Sequence, residues 1–130
     1  MESLSPLNSI KIQNQVAKPE YDQSRVVTYE VTFRNVLGIK MPKILTVSFQ
    51  ELKIQLSDPE NAKLVAEIPA SNLKIAIPSE NIASQVTILC RQGGREAYKV
   101  WVQNGDDLRV KNIIRDINEV VQLYQDRLVE

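Results

Sequence analysis

Residues 106–130 set the strongest constraint on what this chain can fold into. Apolar side chains fall there at Val110, Ile113, Ile114, Ile117, Val120, Val121, Tyr124 and Leu128. That spacing draws one continuous stripe on a helix of period 3.6. The opposite face carries Arg109, Lys111, Asn112, Arg115, Asp116, Asn118, Glu119, Gln122 and Asp126. Asn104, Asp106 and Asp107 offer oxygens to the free N–H groups of the first turn, and the Asp charges suit the helix dipole. A stripe of this kind must be buried against an apolar surface, and everything before it reads as β-strand. The expectation is one sheet, or a sheet curled on itself, closed by the helix.

The strands announce themselves by a period of two. Val27, Tyr29, Val31 and Phe33 alternate with Thr28, Glu30 and Thr32, a β-branched and aromatic run with one buried face. Residues 35–42 follow as a loop, where Gly38 permits positive φ and Pro42 cannot serve a central ladder. Leu45, Val47 and Phe49 mark a second strand over 43–50, and Leu52, Ile54 and Leu56 a third. The turn cluster Ser57-Asp58-Pro59-Glu60-Asn61 ends the third. Leu64, Ala66 and Ile68 mark a fourth strand, Leu73, Ile75 and Ile77 a fifth, and Val86, Ile88 and Cys90 a sixth. Gln92-Gly93-Gly94 reads as a hairpin tip leading to a seventh, with Tyr98, Val100 and Val102 in phase. Residues 80–83 read as a helical turn or a loop. Residues 1–24, polar and weakly patterned between Pro6 and Pro19, are expected to form a flexible or loosely packed arm ahead of a domain over 25–130.

Seven short strands followed by one amphipathic helix resembles the pleckstrin-homology (PH) superfold. The resemblance covers residues 25–124 and rests on the order and length of elements. It implies a mainly β fold, a barrel of two near-orthogonal antiparallel sheets of seven strands, capped by the C-terminal helix. One departure marks the chain as divergent: typical PH domains carry a tryptophan in the final helix, and here the single tryptophan, Trp101, lies in the seventh strand. A small β-sandwich with an appended helix is the structural alternative.

Composition narrows the function. Sixteen basic and sixteen acidic residues give a formal net charge of zero, which argues against nucleic acid as partner. The sequence has no histidine and one cysteine, Cys90, so intramolecular disulfides and Cys-based zinc sites are excluded. The usual general base is missing with histidine. No Gly-rich phosphate loop occurs, and the paired carboxylates sit where caps and turns require them. The reading is therefore non-enzymatic, with no catalytic residue, metal or cofactor. A reducing, cytoplasmic setting fits best, and any membrane contact is expected to be peripheral.

Two groups of residues are candidates for binding. PH domains that bind phosphoinositides place basic side chains on the first strand, the first loop and the second strand. The matching positions here are Arg34, Lys40 and Lys43, after which Ile44 and Leu45 break the second-strand part of the motif. The first loop is also apolar, with Val36, Leu37, Ile39 and Met41. Together with Trp101, expected to face outward beside Lys99, Leu37, Ile39 and Met41 are the candidate protein-interaction residues. The expected function is a PH-like protein-interaction or scaffolding module at a membrane-associated or cytoskeletal structure. The alternative is a phosphoinositide- or anionic-lipid-binding targeting domain. Weak contact with an anionic membrane surface and self-association through an exposed sheet edge or the arm are further expectations.

Overall fold

A computed structural model describes residues 25–91 and 96–129. The expected N-terminal arm and the Gly93-Gly94 hairpin tip lie outside the described residues. In chain order the elements are β1 (Val26–Arg34), β2 (Lys40–Ser48), β3 (Lys53–Ser57), β4 (Leu64–Pro69), a 3-10 turn (Ala70–Asn72), β5 (Leu73–Pro78), β6 (Gln85–Cys90), β7 (Ala97–Trp101) and α1 (Asp107–Leu128). The seven strands form one antiparallel sheet in the order β4-β3-β2-β1-β7-β6-β5. The groups β1–β4 and β5–β7 meet at a single register pair, Thr32 with Trp101.

The helix plugs the curled sheet as its stripe requires. Asp106 caps it, its side chain accepting from the Arg109 amide at 3.1 Å. Val110, Ile113, Ile117, Val120 and Val121 are buried against Val31, Leu45, Val47, Phe49, Ile54, Val86, Ile88 and Val100 from the strands. Leu128 lies beyond the core and is exposed.

The structure differs from the sequence reading at two places, each with a physical reason, and settles a third between the two readings left open. Pro42, expected in the loop, belongs to β2, opposite Thr32. The β3 ladder begins only at Ile44, so the far side of β2 is unpaired at Pro42 and its missing N–H costs nothing. In β5 the register shifts between Leu73 and Ile75. This bulge swaps faces: Leu73 and Ala76 are buried, while Ile75 turns outward and is exposed. Residues 80–83 form a loop, held by the Ser79 hydroxyl accepting from the Asn81 and Ile82 amides at 3.2 and 3.1 Å.

Two polar residues of α1 that read as solvated are structural. Asp116 is buried and accepts from the Tyr29 hydroxyl and from Arg115 Nε, the latter at 3.1 Å. Burial, and then the hydrogen bond and charge of Asp116, push the Tyr29 phenol well above its ordinary range. The neutral phenol therefore contributes stability that is fully present below about pH 10 and is lost as pH rises toward the folded value. Urea titrations above about pH 10 are expected to show wild type losing stability more steeply than Tyr29→Phe. Parallel slopes for the two proteins would refute this role.

Candidate functional site

The β1–β2 connection is a built hairpin tip. The Asn35 side-chain oxygen accepts from the Leu37 and Ile39 amides at 2.9 and 3.0 Å. The Asn35 amide donates to the Ile39 carbonyl and the Gly38 amide to the Asn35 carbonyl, both at 2.9 Å. Gly38 sits at φ +83°, where a side chain would be strained, and its carbonyl accepts from Arg34 Nη1 at 2.7 Å. The amides of Asn35, Leu37, Gly38 and Ile39 are thus satisfied within the loop, and its apolar side chains point away. Val36 is 102% exposed, Leu37 78%, Ile39 54% and Met41 40%. None of the four folds back to cap the barrel.

Trp101 is on the outer face, as its phase requires, but it is not exposed. It is 6% accessible, which corrects the expectation of an outward contact residue. Its cover comes from the hairpin: the Arg34 guanidinium carbon lies 5.0 Å and Lys40 Nζ 4.5 Å from the indole centroid. Arg34 and Lys40 are register partners, so both project to the same face of the sheet. Gln85, the register partner of Trp101, is buried beside it. A cleft of ≈ 560 Å³ opens here, walled by Arg34, Asn35, Val36, Ile82, Lys99 and Trp101 among others. No ion pair among the described residues engages Arg34, Lys40 or Lys99.

Lys43 is separated from that pair. It opposes Val31 and shares the inner face with Leu45 and Val47, whereas Arg34 and Lys40 are on the outer face. Its ammonium is paired with Asp58. The inner face at this end of the barrel is otherwise apolar: Phe33 stacks on Tyr98 at 6.2 Å between ring centroids, and Val65 and Ala66 line the same hollow. The three basic candidates therefore do not converge. Lys99, outside the phosphoinositide pattern, lines the cleft with Arg34. Its signal was in the sequence, since it is in phase with Trp101.

At the far edge of the sheet, α1 closes β5. The Ala76 amide donates to Asn118 Oδ1 at 2.8 Å, and Asn118 Nδ2 donates to the Ala76 carbonyl at 3.0 Å. The carboxamide stands in for a neighbouring strand, and this occupies the position where an added peptide strand would pair. Among the described residues no group of three His, Cys, Asp or Glu side chains is placed to hold a metal ion. No helix among them is long and apolar enough to cross a membrane.

No protein-family profile and no curated protein matches the sequence. Solved structures do match the fold. The PH domain of human oxysterol binding protein-related protein 11 superposes with a TM-score of 0.66 at 12% identity, over 85% of this chain and 91% of that one. The C-terminal phosphotyrosine interaction domain of mouse APBB2 gives 0.61 at 9% identity, over 84% and 95%. The N-terminal PH domain of human ARAP2 gives 0.58 at 10%, over 83% and 88%. The chain has the pleckstrin-homology-like fold, in a divergent form. Its cation cleft lies over a buried β7 tryptophan, and its apolar hairpin tip stands clear of the barrel.

Proposed function

We propose that residues 25–130 form a non-catalytic interaction module that docks a protein partner through the β1–β2 hairpin, with residues 1–24 as an appended arm. One observation carries the reading. Leu37, Ile39 and Met41, with Val36, form an exposed apolar surface on a loop whose own hydrogen bonds already fix its shape. An ordered apolar tip gains more on docking than a disordered one, because little conformational entropy is lost. The similar PH and phosphotyrosine interaction domains support a recognition role, and a scaffold at a membrane-associated or cytoskeletal structure on the cytoplasmic side follows from that analogy. The headgroup alternative draws less support, since Lys43 is paired with Asp58 on the other face of the hairpin.

Proximity labelling in cells with wild type and with Leu37→Asp plus Ile39→Asp tests the proposal. The double variant is expected to lose specific neighbours while its melting temperature stays within a few degrees of wild type, because both side chains are exposed. A labelled set unchanged by the double variant would remove the tip from the function.

A further inference from the structure

The cleft over Trp101 gives the partner a chemistry. We infer that the polypeptide docking on the hairpin tip places an acidic side chain in this cleft, between Arg34, Lys40 and Lys99, next to the apolar residues that meet the tip. The inference rests on the tip being the docking surface and adds the partner's charge.

Arg34 and Lys99 line one concavity, Lys40 lies beside it over the Trp101 ring, and no ion pair among the described residues neutralises any of the three. The indole face is already covered by Arg34 and Lys40, so a ligand meets their outward N–H groups, not the ring. Arg34 keeps one Nη bonded to the Gly38 carbonyl, which holds its fork in place, and Asn35 lines the same wall. A fixed guanidinium with two ammonium groups is suited to a carboxylate, which accepts several charge-assisted hydrogen bonds at once. Val36 belongs both to the cleft wall and to the exposed tip, so the anionic and apolar contacts are contiguous.

The charge is one-sided, and this favours a polypeptide over a bilayer. On the other side of the same barrel end, Lys43 is cancelled by Asp58, and Glu60 is exposed next to them. An anionic plane laid across this end would meet both signs. A narrow acidic segment seated in the cleft meets Arg34 and Lys99, and no carboxylate lines that wall. The formal net charge of zero gives no general attraction to an anionic surface.

The probe is a random-peptide display library selected on the full chain, with enriched peptides titrated against the single tryptophan as reporter. Enriched peptides are expected to carry Asp or Glu beside apolar residues and to change Trp101 emission. Their binding should weaken with salt. Lys40→Gln and Lys99→Gln should each weaken it roughly tenfold, with folding unchanged because both side chains are exposed. Leu37→Asp should abolish binding in either case, so its failure to do so marks the docking reading itself as wrong. If the enriched peptides are apolar without acidic residues, or bind both Gln variants as well as wild type, the cleft plays no part and the inference fails. It fails equally if no peptide enriches while phosphatidylcholine–phosphatidylserine vesicles change Trp101 emission and the Gln variants suppress that change.

Discussion

Phe49→Ala is expected to lower stability by about 3 to 5 kcal/mol, a fall in melting temperature of roughly 10 to 20 °C for a domain of this size. Phe49 is 1% exposed and is among the largest fully buried side chains. It lies just past β2, where the helix meets the sheet. Removing the ring leaves a cavity that neighbouring Leu45, Ile54 and Ile117 fill only in part. A second loss adds to the first. The Arg25 guanidinium sits 3.9 Å from the Phe49 ring centroid and bonds Glu119 of α1 at 3.3 Å. Arg25 Nε has no hydrogen-bond partner among the described residues, so the ring is a large part of what holds that side chain. Against a total of about 5 to 15 kcal/mol, the substitution removes a large share. Leu37→Ala, at the exposed tip, is expected to stay within about 0.5 kcal/mol. Chemical denaturation of both proteins checks the pair, and similar midpoints for them would refute the placement of the core.

Asn118→Ala is expected to cost about 2 kcal/mol, more than its polar, helix-surface appearance suggests. Its carboxamide satisfies both the N–H and the C=O of Ala76, and the substitution leaves both without their partner. Asn118→Asp should recover one of the two bonds, since a carboxylate accepts from the amide but cannot donate to the carbonyl. The second expected effect is on association. With the carboxamide gone, β5 presents an open N–H and C=O, and the variant should gain mass with concentration in sedimentation. A variant as stable as wild type and unchanged in mass would show that the two bonds contribute nothing.

The strand order and the helix were legible because burial of one face imposes a period, and the period survives in the sequence. The β5 phase was not legible. A bulge adds one residue without changing composition, so Ile75 and Ile77 looked inward when Ala76 is the inward residue. Asp116 and Asn118 read as solvated because nothing local reports that Tyr29 and Ala76 lie against them. The phase of Trp101 gives its face but not its exposure. Periodicity separates two faces but does not say what covers the outer one, and here Arg34 and Lys40 do. The separation of Lys43 from those two was available. It is in phase with Leu45 and Val47, and that parity outweighs nearness in sequence.

The closing of β5 also limits how copies of this chain can join. A sheet with two free edges can add neighbours without end, each copy offering one edge to the last and one to the next. Here the Lys74 bulge breaks the β5 register, Asn118 occupies Ala76, and Pro78, next in the outward alternation, lacks an N–H. The opposite border, β4, has Leu64 and Val65 exposed and pairs only with β3 among the described residues. Among the described strands, pairing between copies is therefore left to β4 against β4, across a two-fold axis. That geometry uses up the β4 border of each copy at once, so pairing of this kind closes at two copies.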